Sequence, residues 1–224
     1  MSKIKFAPTT ALWLTLIAFS FDSFCQDSEK GFISLFNGKN LDGWIGDTEN
    51  YNVENGVIVS SDREGGGNGN LFYGKQYSDF TLRFEFQLTP GANNGIGIHA
   101  PAGGDVAYQG KEIQVIDNTT DKYGELKDYQ YHGSVYGMIP AKRGFQKPVG
   151  EWNSEEIFVK GDKIRVILNG NTIVNTNLKK ATKNGTIDHL EHPGLNRHEG
   201  YIGFLGHGTI VRFRNVRIKD LSVK

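Results

Sequence analysis

Thr81-Leu82-Arg83-Phe84-Glu85-Phe86-Gln87-Leu88 is the stretch that decides the fold. Leu82, Phe84, Phe86 and Leu88 alternate with Thr81, Arg83, Glu85 and Gln87. Successive side chains of a strand point to opposite faces, so this octapeptide has one apolar face and one polar face. That is the pattern of a half-buried antiparallel strand. Strand signals continue on both sides of it. Phe32 to Phe36 comes first, then the turn-rich run from Asn37 to Trp44. Tyr51 to Glu54 and Val57 to Ser60 flank Asn55-Gly56, a strong hairpin signal, and Ser61 to Gly69 reads as a polar, glycine-rich loop. Downstream, strands are expected at Asn94 to Ala100, Lys111 to Asp117, Glu156 to Lys160 and Lys163 to Leu168. Asn169-Gly170 turns into Thr172 to Leu178, and Tyr201 to Leu205 and Ile210 to Leu221 finish the set. The last strand loses its alternation near Asn215, as a bulge would cause. About a dozen strands, no convincing amphipathic helix and 29 glycines scattered among turns predict an all-β chain of two antiparallel sheets, a sandwich or jelly roll.

The N-terminus reads as a secretion signal. Lys3 and Lys5 precede the apolar run Ala11 to Phe21, which is too short to span a bilayer at about 20 apolar residues. Ser23 and Cys25 are small residues suited to cleavage before Gln26, and lipidation of Cys25 is the alternative. The expectation is a leader over residues 1–25, a periplasmic or secreted product, and one β-sandwich domain over 26–224. Cys25 is the only cysteine, which excludes a disulfide framework and a cysteine metal site. Lys plus Arg and Asp plus Glu both number 25, so no net charge draws the chain to nucleic acid or an anionic membrane.

The strand Lys111-Glu112-Ile113-Gln114-Val115-Ile116-Asp117 is the first candidate for chemistry. Ile113 and Val115 share one face; Glu112 and Gln114 share the other, which offers a carboxylate and an amide from a rigid sheet. The loop from Asn118 to Trp152 is long for a compact domain and carries Tyr123, Tyr129, Tyr131, His132, Tyr136, Lys142, Arg143 and Trp152. Rings that stack on sugar faces, mixed with hydrogen-bonding groups, suit a carbohydrate. The loop is expected to form a lid or rim over the Glu112 face, with His132 and Tyr136 beside Glu112. His207 sits between Gly206 and Gly208 at a strand end, where close approach of a ligand is possible. Arg212 and Arg214 alternate with Val211 and Phe213, and Arg214 is a further candidate for holding a sugar oxygen.

Several ordered segments resemble the 3-keto-disaccharide hydrolase family. They are Phe32 to Trp44, Glu112 to Asp117, His132-Gly133-Ser134-Val135-Tyr136, Trp152-Asn153, Leu168-Asn169-Gly170, Gly203 to Gly208 and Val211 to Ile218. The resemblance implies a concanavalin-like jelly roll, bacterial export and cleavage of 3-keto-glycosides by hydrolysis or 1,2-elimination. In Gly95-Ile96-Gly97-Ile98-His99-Ala100-Pro101, histidine stands where the family usually carries arginine. A 3-ketone acidifies the C2 proton, so the reaction needs a base, a stabiliser of the enolate and an acid. Glu112, His132 and His207 are the catalytic candidates. Gln114, Tyr136, Lys142, Trp152, Arg214 and His99 are the substrate-binding candidates. A divalent metal held by Glu112, His132 and His207 is a further expectation, with manganese, magnesium, calcium or zinc as the ions that oxygen and imidazole ligands suit. Two other readings compete. A laminarinase-like glycosidase places Glu-x-Asp-x-x-Glu on one strand, but here Gln114 follows Glu112 where that series has Asp. A non-catalytic carbohydrate-binding module fits the aromatic content too.

Overall fold

The computed structural model describes residues 30–62 and 69–222; the expected leader and most of the 61–69 loop lie outside them. Among the described residues thirteen strands follow in order. They are β1 (Ile33–Ser34), β2 (Trp44–Gly46), β3 (Tyr51–Glu54), β4 (Val57–Ser60), β5 (Asn70–Tyr73), β6 (Phe80–Leu88) and β7 (Asn93–Ala100). Then come β8 (Lys111–Ile116), β9 (Trp152–Lys160), β10 (Lys163–Leu168), β11 (Asn171–Asn177), β12 (Tyr201–Gly206) and β13 (Val211–Asp220). Among the described residues helix is confined to short turns, among them α1 (Val106–Gln109) and α2 (Leu178–Ala181). No helix of the described residues is long and apolar enough to cross a membrane.

The strands form two antiparallel sheets. The larger runs β11-β10-β9-β6-β13-β4-β3, with β1 pairing on β13; the smaller runs β2-β5-β12-β7-β8. The alternation of β6 is realised as read. Phe80, Leu82, Phe84, Phe86 and Leu88 are buried between the sheets, while Arg83, Glu85 and Gln87 are partly exposed on the outer face. Phe213 of β13 stacks on Phe204 of β12 at 3.9 Å between ring centroids, and Phe204 stacks on Trp44 at 5.4 Å. Phe213 and Phe204 come from opposite sheets, so these rings join the sandwich across its middle. Each fully buried ring of this kind stabilises the fold by roughly 1.5–3 kcal/mol.

Turn chemistry sets the registers. Asn55 (φ 50°) and Gly56 (φ 80°) make the two-residue turn between β3 and β4, and Asn169 (φ 49°) and Gly170 (φ 80°) make the one between β10 and β11. On β13 the register against β6 shifts between Arg214 and Arg217, with Asn215 at φ 52°, which is the expected bulge. The bulge lets β4 pair at Arg212 and Phe213 while β1 pairs at Arg217 and Ile218.

Candidate functional site

The site is built outward from β8. Ile113 and Val115 point into the core, so Glu112, Gln114 and Ile116 occupy the outer face of the smaller sheet. On one side lies β7, where Gly97 stands opposite Glu112 and Gly95 opposite Gln114. A Cβ on Gly95 would strike the Glu112 carboxylate, so the missing side chain is what leaves that carboxylate its place. On the other side, the loop after β8 returns as an added edge. Gly133 N–H donates to Gln114 O (2.7 Å), Gln114 N–H donates to Ser134 O (3.0 Å) and Tyr136 N–H donates to Glu112 O (2.9 Å). Backbone pairing therefore brings Tyr136 next to Glu112, although 24 positions separate them in sequence.

These elements enclose a pocket of about 400 Å³. Glu112, Gln114 and Ile116 form its floor, Asn93 of β7 adjoins them, and His207 stands just past the end of β12. Asp105, Ala107 and Tyr108 contribute from α1, and Tyr123, Leu126, Gln130 and Tyr136 from the long loop, which thus forms a rim. Glu112 is only 4% exposed, and its Oε1 accepts no hydrogen bond within the protein. The Nε2 of His207 lies 3.7 Å from that oxygen. The Glu112 carboxylate facing it raises the His207 pKa; burial opposes this, and the Asp105 charge adds to the rise. His207 is thereby biased toward the imidazolium. Gln114 Nε2 donates to Asn93 Oδ1 (3.0 Å), which leaves Gln114 Oε1 buried and unpartnered among the lining groups. Burial raises the Tyr136 phenol pKa; the hydrogen bond with Gln130 opposes that, and the Glu112 charge reinforces it. Asp105 caps α1 by accepting from Ala107 N–H (3.0 Å). Tyr108 is backed by the His192 ring at 4.8 Å, and His192 Nε2 pairs with Asp188 Oδ2 at 2.9 Å.

Glu112, His207, Gln114 and Tyr136 are thus brought together. The other expected residues are not. His132 leaves the pocket for the sandwich interior: its Nε2 meets Glu155 Oε2 at 2.8 Å, both side chains have no exposure, and its ring stacks on Phe86 at 4.8 Å. Its N–H donates to Asn118 Oδ1 (2.9 Å), and Gly133 at φ 80° bends the chain beside it. Trp152 and Arg214 lie on the outer face of the larger sheet, because their neighbours Asn153 and Phe213 take the inward positions. There the Arg214 guanidinium stacks 3.9 Å over the Trp152 ring, and its Nε donates to Glu85 at 2.7 Å. Lys142 is exposed, and its backbone N–H donates to Ile173 O (3.0 Å).

His99, at φ 49°, is buried at one end of the sandwich. Its Nε2 bonds Ser78 O (2.7 Å) and its Nδ1 lies 3.3 Å from Lys111 Nζ, which donates to Gly194 O (2.8 Å) and Arg197 O (2.6 Å). Burial, reinforced by the Lys111 charge, pushes the His99 pKa down to about 4, and burial pushes Lys111 down to about 8. The expected metal set of Glu112, His132 and His207 is divided by the same geometry. Among the described residues no three His, Cys, Asp or Glu side chains gather into a metal-binding group. Asp105, Tyr108 and Glu155 are the residues with roles here that sequence reasoning missed. Asp105 caps and Tyr108 belongs to a single four-residue turn, too short to show a helical period.

A family model described as a 3-keto-alpha-glucoside-1,2-lyase-like domain matches residues 31–219. The chain is 31% identical to a 3-keto-disaccharide hydrolase of Bacteroides thetaiotaomicron, over 86% of this chain and 79% of the relative. It is also similar to the crystal structure of a candidate glycosyl hydrolase from Parabacteroides distasonis, with a TM-score of 0.74 and 27% identity over 88% of this chain and 96% of that one. A carbohydrate binding module from Bacillus subtilis shares the fold at a TM-score of 0.51 and 14% identity, covering 80% of this chain and 96% of that one.

Proposed function

The chain belongs to the family of 3-keto-alpha-glucoside-1,2-lyase-like domains, whose relatives carry glycosyl hydrolase names, and from that premise we propose that it cleaves 3-keto-glucosides with Glu112 as base and His207 as the cation opposite it. One observation carries this assignment: a buried carboxylate whose Oε1 accepts no hydrogen bond faces the His207 imidazole at 3.7 Å, in a pocket walled by tyrosines. A base must reach the C2 proton without being quenched by protein hydrogen bonds, and Glu112 Oε1 has that freedom.

The chemistry follows from the ketone. Glu112 takes the C2 proton, and the electrons of that C–H bond become the C2=C3 bond of an enolate. The positive His207 stabilises the negative oxygen at C3. The enolate then expels the C1 substituent, leaving a C1=C2 double bond conjugated with the C3 ketone, and the departing oxygen takes a proton. Tyr136, whose phenol is held in its neutral form, is the donor that lies beside Glu112. Addition of water at C1, with a proton returned to C2, converts elimination into net hydrolysis. Gln114 Oε1 offers an acceptor to a sugar hydroxyl. The pocket does not complete a ligand set for a divalent ion, so no step is assigned to one. The expected leader over residues 1–25 makes the proposed enzyme an exported one.

The retaining glycosidase reading needs two carboxyl groups about 5–5.5 Å apart. The second carboxylate among the lining residues, Asp105, is engaged as a helix cap. Glu112→Gln keeps size and hydrogen-bonding capacity but removes the base. It should cost on the order of a hundredfold or more in turnover of a 3-keto-glucoside while the protein stays folded. Unchanged turnover would make Glu112 structural. Binding of the keto-sugar by the wild-type protein without any conversion would favour the binding-module reading instead.

A further inference from the structure

Gln130 ends a short 3-10 turn, Asp128–Gln130, in the loop that rims the pocket. An amide side chain can present its oxygen or its nitrogen, and here the backbone decides which. Lys127 N–H donates to Gln130 Oε1 (3.0 Å), and a backbone N–H can only donate. Gln130 Nε2 is therefore the end that meets the Tyr136 hydroxyl, at 3.4 Å, and the phenol oxygen is the acceptor in that bond. The turn is tied down on both sides. Gln130 N–H donates to Lys127 O (2.8 Å), and Ser134 Oγ donates to Asp128 O (3.3 Å). Tyr136 is held as well: its backbone pairs with Glu112, and the Tyr129 ring lies edge-on against its ring at 5.6 Å. With Gln130 donating to the phenol oxygen, the proton of that phenol is left for an acceptor in the pocket.

We infer that Gln130 is a positioning residue for the acid of the reaction, fixing the Tyr136 phenol as a donor to the departing oxygen. This rests on the proposed function, which supplies the departing group. As the C1–O bond breaks, its electrons go to the alcohol oxygen, and that oxygen takes the Tyr136 proton. The phenol becomes a phenolate, and the Gln130 N–H bond to it strengthens as the charge develops. Water that then adds at C1 gives a proton to the phenolate, which restores the acid, while Glu112 returns the proton to C2. A residue that only supported the loop would serve every substrate alike. Gln130 instead matters in proportion to how much the leaving group needs a proton.

Methyl and 4-nitrophenyl 3-keto-glucosides separate these roles, because methoxide needs a proton to depart and 4-nitrophenolate does not. Gln130→Glu keeps the size of the side chain and an acceptor for Lys127 N–H, but it replaces the donor by a second acceptor, which draws the phenol proton away from the leaving group. It should lower kcat on the methyl compound by on the order of a hundredfold. On the nitrophenyl compound, corrected for spontaneous loss, it should cost about threefold or less. Gln130→Leu, with neither donor nor acceptor, should fall between Gln130→Glu and wild type on the methyl compound, and Tyr136→Phe should show the same selective loss. Wild-type protein that turns over neither compound would remove the proposed function, and the role of Gln130 with it. Turnover of the nitrophenyl compound alone would remove the acid. Turnover of both by the wild type, with variants that lose equally on the two or lose nothing, would overturn the inference and leave the proposed function standing.

Discussion

Replacing His132 by alanine separates a stabilising role from a catalytic one. The substitution leaves the Glu155 carboxylate sealed in the sandwich without the imidazole it meets at 2.8 Å. Removing one partner of a buried ion pair costs roughly 3–5 kcal/mol. Loss of the ring packed on Phe86 adds about 1 kcal/mol. The sum, roughly 4–6 kcal/mol, is a large share of the ~5–15 kcal/mol by which domains are stable. For a chain of this size it lowers Tm by roughly 8–24 °C. Urea unfolding followed by tryptophan fluorescence measures the loss, with the slope against denaturant unchanged. The double variant His132→Phe with Glu155→Leu should recover most of the stability, because apolar groups of similar volume replace the pair without an orphaned charge. Glu155→Gln, which keeps an acceptor, should cost less than His132→Ala. A His132→Ala protein within about 1 kcal/mol of wild type would refute this reasoning, as would a fully stable variant whose turnover alone is lost.

Raising pH should lower kcat/KM through a midpoint above the ordinary histidine value of 6.5, because Glu112 holds His207 protonated and the cation is the active form; Glu112→Gln should move the His207 titration, followed by NMR of its ring protons, downward. The sign for His99 is opposite. Its folded pKa is depressed to about 4, so its contribution is complete above 6.5 and declines as pH falls from there to about 4. The full decline is about 3 kcal/mol, and denaturation curves of His99→Asn should lack that share of the wild-type acid slope.

Much of the sandwich was legible because burial imposes a period of two. Leu82 to Leu88 could not be confused with a helix, and the Asn-Gly pairs at 55–56 and 169–170 fixed two hairpins without knowledge of the rest. Trp44–Gly46 and Asn70–Tyr73 form strands that the sequence pattern does not announce. The first is three residues long within a turn-rich run, and the second follows a glycine-rich loop, so neither shows enough alternation. Parity along β8 placed Glu112 and Gln114 on one face, and both are found there. Parity says nothing about which sheet a strand joins. Arg214 therefore read as a sugar contact although Phe213 carries it to the far side of the molecule. His132 failed for a similar reason. Its partner Glu155 lies 23 positions away on the opposite sheet, and only the packing of the two sheets brings them into contact.

The chemistry at Glu112 is tested most directly by following methyl 3-keto-glucoside in deuterated water by NMR, with wild-type protein and with Glu112→Gln. Abstraction at C2 requires that the glycosidic bond breaks and that the released 3-keto-sugar carries deuterium at C2, or that the C1=C2 elimination product accumulates, and that Glu112→Gln yields neither at a comparable rate. Cleavage with the original C2 proton fully retained would contradict it, as would equal turnover of the unmodified methyl glucoside.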